Sequence, residues 1–274
     1  MTTIVPTGAM RAALERLIDY AGLFPPAKLP LDEALVQYEQ AREGSASWML
    51  SRFIVKAEDL AALRSRLDGH ARIELSVIAA PAMFEVVARA RHEGWTTIAA
   101  IEVPLGDHSI GGCVRQARRA RLDDLPIYVE HSHGRPAMDE LSEGGLGAKL
   151  RCGGLKPSSY PSVEAVAAFI AEACAAGVPF KATAGLHHPL RHFNPAAGVM
   201  MHGFLNVLAA AVHAPHTDRG RLEAIVASER LEELDLTDET EIRRARRERF
   251  VSFGSCSFEE PLEDLRALRL VAID

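Results

Sequence analysis

One unit recurs along the chain: an amphipathic helix, a glycine, then a short apolar strand. The helical pattern of Leu31–Glu43 stops at Gly44, and SWMLSRFIV follows. That of Ala57–Asp68 stops at Gly69 before ARIELSVIAA, and that of Pro81–Glu93 stops at Gly94 before WTTIAAIEVPL. A glycine just past a helix end suits the left-handed C′ position. The strands are rich in Ile, Val and Leu, as parallel strands covered on both faces are. The rhythm continues with strands predicted at Leu125–His133, Leu146–Cys152, Val178–Gly185 and Arg249–Ser257. A first strand is predicted at Leu17–Phe24, after a helix that closes the bottom. Through the middle of the chain strands start roughly every 25 residues, the period of a βα unit. Pro81 fits the first turn of its helix, and Ser257-Phe-Glu-Glu260 reads as a capping box opening the last one.

Helices alternating with parallel strands close as a doubly wound open sheet or as a barrel. The chain has no Gly-x-Gly-x-x-Gly after its first strand and places charged residues inside several strands. Both features favour a single (β/α)8 TIM barrel over residues 1–274, a usual size for that fold, with its site at the C-terminal ends of the strands. Residues 194–248 break the rhythm and read as a helical insertion between strands seven and eight. There Asn194-Pro195 is predicted to start the helix GVMMHGFLNVLAAAV, with two more at about Asp218–Ser228 and Asp238–Glu248. A helix apolar on nearly every side must be covered on every side, by its neighbours or by a second subunit.

A net charge of −6 and a pI near 6.0 argue against a nucleic-acid or anionic-membrane partner. The arginine runs at 115–121 and 243–249 fall near helix ends, where cations complement the dipole on a solvated face. Cys113, Cys152, Cys174 and Cys256 form no Cys-x-x-Cys, which suits a reducing compartment. With neither a secretory signal pattern nor a long apolar run, the expectation is a cytoplasmic protein that binds a small molecule, with a homo-oligomer left open.

Side chains alternate along a strand. In strand six Lys149 and Arg151 share a face opposite Ala148, Leu150 and Cys152; in strand seven Lys181 and Thr183 oppose Phe180, Ala182 and Ala184. The apolar sets belong against the helices, so the cations point into the barrel. Glu102, Glu130 and Glu74 are compatible with the same interior. Charges leave water at several kcal/mol each unless paired. They are therefore either interior ion pairs or a site. A buried lysine beside a second cation has its pKa lowered, and the neutral amine can attack a carbonyl to form a Schiff base. Lys149 and Lys181 are the candidates, with Glu102, Glu130 and the Asp19–Tyr20 region for proton transfer.

The segments AKLRCGG, FKATAG and SFGSCS resemble strands six to eight of class I aldolases of the deoxyribose-phosphate aldolase type. The resemblance implies a lysine Schiff base acting in carbon–carbon cleavage or formation on an oxygenated substrate, free or phosphorylated, without a cofactor. By strand count it gives Lys149 the Schiff base and Lys181 the tuning role. FKATAG reads more like the family's Schiff-base segment, so the roles are open to exchange. It further implies that Gly153, Gly154, Gly185, Gly254 and Ser255 hold a phosphate, with Arg151 and Thr183 beside the substrate. Strand three carries no aspartate, where the family has one, so the resemblance leaves the proton shuttle unassigned.

A divalent metal is the alternative. His131, His133, His187 and His188 end strands five and seven, with Glu102 and Glu130 as carboxylates, and such ligands hold metals for hydrolases or isomerases. His202 and His213, in the apolar helix, read as packing residues. Cys152 has the helix-facing parity; Cys256 ends strand eight, and its only prospective base is His187 or His188. The Phe24-Pro-Pro-Ala-Lys28 loop is stiff, with Lys28 solvated. A non-catalytic binding barrel is the third possibility.

Overall fold

The computed structural model describes residues 8–67, 72–130 and 138–272. Among the described residues there are ten strands: β1 (Ile18–Tyr20), β2 (Leu50–Lys56), β3 (Glu74–Ile78), β4 (Thr97–Pro104), β5 (Ile127–Glu130), β6 (Gly147–Arg151), β7 (Phe180–Thr183), β8 (His192–Asn194), β9 (Val199–Met201) and β10 (Phe250–Ser255). Eight of them close into an all-parallel barrel in the order β1-β10-β7-β6-β5-β4-β3-β2. The ring closes because β1 pairs β2 on one edge and β10 on the other. All eight predicted barrel strands are found, each shorter than its apolar run.

Helix α1 (Gly8–Leu14) precedes β1. Helices α2 (Leu31–Glu43), α3 (Leu60–Arg66), α4 (Phe84–Glu93), α5 (Ile110–Arg119), α6 (Met138–Gly144) and α7 (Val163–Ala175) follow β1 to β6 in turn. Between β7 and β10 come the β8–β9 hairpin and then α8 (Phe204–His213), α9 (Arg219–Ala227) and α10 (Glu239–Glu248); α11 (Glu259–Ala267) ends the fold. Among the described residues no helix is long and apolar enough to cross a membrane.

Three expectations are corrected. Gly94 takes the left-handed cap with φ 68°, but Gly44 has φ −72° and leads into a short 3-10 turn instead. Asn194 does not start a helix. Its Oδ1 accepts from the amides of Ala196 (3.0 Å) and Ala197 (3.1 Å), folding Pro195 into the turn of an antiparallel hairpin. The helix waits until Phe204. The arginine run at 243–249 is not wholly solvated either. Arg249 is buried, and its guanidinium donates to Ala211 O and Val212 O at the end of α8, where unpaired carbonyls need donors. Arg246 reaches under the barrel to the carbonyls of Phe250, Val251, Glu15 and Arg16.

Helix α8 is buried from Phe204 to Val212, covered by α7, α9, α10 and β10 of its own chain. Its polar residue, Asn206, donates to Ile225 O and Ser228 O at 2.8 Å each and accepts from the Arg191 amide. Those bonds tie α8 to the end of α9. His202 and His213 are packing residues, bonded to Pro161 O (2.8 Å) and Leu234 O (3.1 Å).

Candidate active site

The interior of a filled barrel is ordinarily packed with branched aliphatic side chains. Across the middle runs a row of charges of alternating sign: Arg52, Asp19, Lys181, Glu102, Lys149, Glu130, Arg151. Strand register builds it. Lys149 of β6 lies level with Lys181 of β7, and Glu102 comes from β4 across the interior. Asp19 reaches Lys181 Nζ at 2.7 Å and Arg52 at 3.5 Å, and accepts from the Arg52 amide at 3.0 Å. Glu102 bridges the lysines, one oxygen on Lys181 and the other 2.7 Å from Lys149 Nζ. Glu130 lies 3.0 Å from Lys149 and 3.0 Å from Arg151. Arg151 is 53% exposed at the mouth, whereas Lys181 is 1% exposed beneath it.

An ammonium has three N–H donors. Lys181 spends all three, on Asp19, on Glu102 and on Ser76 Oγ at 2.9 Å. Lys149 spends two, on Glu102 and Glu130, and among the described residues its third N–H has no partner. Lys149 also lines the cavity above the row, and Lys181 does not. The strand-level equivalence of the two lysines thus ends at the side chains: Lys181 is a saturated strut, and Lys149 faces the cavity.

Electrostatics corrects the sequence expectation for Lys149. Burial alone would lower its pKa, but Glu102 and Glu130 outweigh burial and hold it above the ordinary lysine value. No second cation dominates, because Glu102 stands between the lysines. Burial likewise acts to raise Asp19, Glu102 and Glu130, yet the lysines and arginines bring all three below the usual carboxylate range.

The cavity at the C-terminal mouth measures about 440 Å³, within the range of small-ligand sites. Glu102, Glu130, Lys149 and Arg151 give it a charged lining; Ala21, Ile54, Ile78 and Pro104 make an apolar belt. Thr183, Gly154, Gly185 and Gly254 also line it. Gly153 does not: it packs against Tyr160 and Gly185. Ser255 is buried and turned away, its hydroxyl donating to Ser257 O at 2.6 Å. Glu74 sits at the opposite, N-terminal end of β3, paired outside the barrel with Arg16 at 2.5 Å.

A second polar cluster stands on the β7–β10 side. His187 Nδ1 is 3.0 Å from Glu260 Oε2 and 4.0 Å from Cys256 Sγ; His188 Nδ1 is 2.5 Å from Asp264. Burial would lower His187, but Cys256 and Glu260 raise it to about 9, so it is an imidazolium at neutral pH. Only half of the predicted capping box forms. Ser257 Oγ accepts from the Glu260 amide, whereas the Glu260 carboxylate turns to the histidines.

His131 and His133 lie outside the described residues. Among the described residues no three His, Cys, Asp or Glu side chains are arranged to hold a metal ion.

Sequence reasoning missed Arg52, Ser76, Ser252, Tyr160 and Glu260, and undervalued Asp19. A signal existed for three of them. Asp19, Ser76 and Ser252 are each a single polar residue between bulky apolar ones within a strand, the same signature that exposed the lysines.

Gly185 offers a packing test. With φ 71°, a side chain there is strained, and its Cβ would lie 3.0 Å from Cys152 O and from Gly153 Cα. Gly185→Ala is expected to cost about 1–3 kcal/mol in urea unfolding; an unchanged midpoint would show that the β6 and β7 loops give way freely.

No family model matches the chain, and no curated protein matches it. Among solved structures it is similar to "The crystal structure of Mandelate oxidase with 3,3-difluoro-2-hydroxy-3-phenylpropionic acid". The TM-score is 0.46 at 10% identity, covering 93% of this chain and 74% of that one. A likeness that slight does not extend to chemistry, cofactor or substrate. What the chain's own coordinates establish is a closed eight-stranded parallel TIM barrel with a charged, ligand-sized cavity at its mouth.

Proposed function

We propose that this protein is a small-molecule enzyme, a lyase or isomerase that moves a proton next to the carbonyl of an anionic substrate. The observation that carries the reading is the unspent N–H of Lys149, an ammonium held between two carboxylates that line the cavity. An ammonium so placed stabilises negative charge developing on a carbonyl oxygen. Arg151 takes the substrate's anionic group, carboxylate or phosphate, and His187 adds positive charge from the other wall. When that anion draws Arg151 away from Glu130, the Glu130 carboxylate loses a charge that depresses its basicity and becomes the proton acceptor.

A second reading keeps the Schiff base. Lys149 is the lysine that lines the cavity, and Glu130, 3.0 Å away, is placed to accept its proton. The adduct would then form on Lys149, with Lys181 held too firmly to react.

The test is deuterium exchange from solvent into a panel of small keto acids and phosphorylated ketoses, followed by NMR, with borohydride added in parallel. Wild-type protein is expected to catalyse exchange in a subset of the panel, without a covalent product. Lys149→Met is expected to lose about 100-fold or more. A borohydride-trapped adduct on Lys149 would move the conclusion to the Schiff base. Neither exchange nor adduct across the panel would sink both.

A further inference from the structure

Cys256 is a cavity group that the proton chemistry at Lys149 leaves unused, and its neighbour His187 serves that chemistry only as a positive charge. Cys256 follows β10 directly, and β10 is separated from Lys149's strand only by β7. Its side chain lines the cavity although the residue is 8% exposed, so the route to its sulfur is through the cavity. His187 Nδ1 faces the sulfur at 4.0 Å and Glu260 at 3.0 Å. The other charged and titratable groups nearby are His188, which also approaches Glu260 at 3.8 Å, Asp264 and His192, which contact His188, and Tyr20. The remaining three cysteines differ. Cys113 and Cys152 are buried, and burial pushes their thiols up to about 11 and about 12; Cys174 is half-buried on α7.

A thiol beside an imidazole that a carboxylate holds in place is the arrangement that generates a nucleophilic sulfur. We propose that Cys256 is a second reactive group of this cavity, a nucleophile that adds to the carbonyl carbon of a small aldehyde. The step balances with one proton exchanged through water. Sγ gives its proton to water as the Sγ–C bond forms and the C=O π pair moves to oxygen. That oxygen takes a proton from the His187 imidazolium, which regains one from water, leaving a neutral hemithioacetal. Glu260 accepts from the same Nδ1 that faces the sulfur and so anchors that edge of the ring beside Cys256. The idea shares the cavity with the Lys149 reading and is independent of its chemistry.

The experiment is iodoacetamide alkylation of the full chain at pH 6 and pH 8.5, with each cysteine followed by peptide mass mapping. Cys256 is expected to react about tenfold or more faster than Cys174 at pH 6. Glycolaldehyde is expected to slow alkylation of Cys256 and of no other cysteine. His187→Asn is expected to remove the pH 6 advantage. If that variant fails to fold, Glu260→Gln keeps the ring and is expected to lower the pH 6 rate about threefold. Cys256 that stays unmodified, that reacts no faster than Cys174, or that ignores both substitutions overturns the proposal. Lys149→Met, mapped in the same way, is expected to keep the Cys256 advantage. Loss of substrate exchange and loss of thiol reactivity are thereby read on different residues.

Discussion

Lys181→Met is expected to destabilise the barrel by about 3–5 kcal/mol, the cost of leaving buried charges without their partner. Methionine nearly matches lysine in length, so the loss is electrostatic rather than a cavity. Asp19 and Glu102, both essentially inaccessible to water, would keep their charge with no ammonium between them, and Ser76 would lose its donor. For a chain of this size that is a drop in Tm of roughly 10 °C or more. Adding Asp19→Asn and Glu102→Gln to the same variant should recover part of the loss, because neutral groups of the same shape no longer pay for uncompensated burial. Thermal unfolding by circular dichroism reads both. An unchanged Tm in Lys181→Met would mean that the row relaxes or takes in water, and Lys181 would cease to be a strut.

Acid is the second large perturbation. Asp19, Glu102 and Glu130 each lie below their ordinary values of 3.8, 4.5 and 4.5, because lysine and arginine attraction outweighs burial. A carboxylate depressed in the folded state contributes stability above its unfolded pKa and loses it as pH falls through its folded value. The urea midpoint is therefore expected to hold down to about pH 5 and to fall steeply below that, as the unfolded chain takes up protons that the folded row refuses. His187 acts with the opposite sign. Raised to about 9, it contributes fully below its ordinary 6.5, and that contribution is lost as pH rises through about 9. A plateau between about pH 5 and pH 7 is the expected shape. The triple variant Lys181→Met, Asp19→Asn, Glu102→Gln should flatten the acid limb; an acid limb as steep as wild type would assign it to surface carboxylates instead.

How far the sequence reached follows from what each residue needs. The barrel was legible because parallel strands buried on both faces read as apolar runs, and glycines and charges punctuate them at a βα period. The inward direction of Lys149 and Lys181 was legible too, since alternation is a property of the strand itself. Local chemistry misled where one contact outbid another. Asn194 had a helix-start sequence, but its side chain satisfies two amides more cheaply in a turn. Glu260 had the spacing of a capping box, but the histidines at the end of β7 offered its carboxylate a charged partner.

The sequence by itself determined the eight barrel strands, the helices between them and the inward parity of Lys149 and Lys181, because those depend on neighbours in the chain. It had no means of separating two lysines with the same parity. Only the closed barrel decided that. Closure brings Asp19, Glu102 and Ser76 to Lys181, which fills its three donors, and among the described residues leaves Lys149 with one N–H unspent in the cavity. The same closure sets His187 between Cys256 and Glu260. These contacts join residues far apart in the chain, and hydrogen-bond saturation depends on how many partners arrive in space.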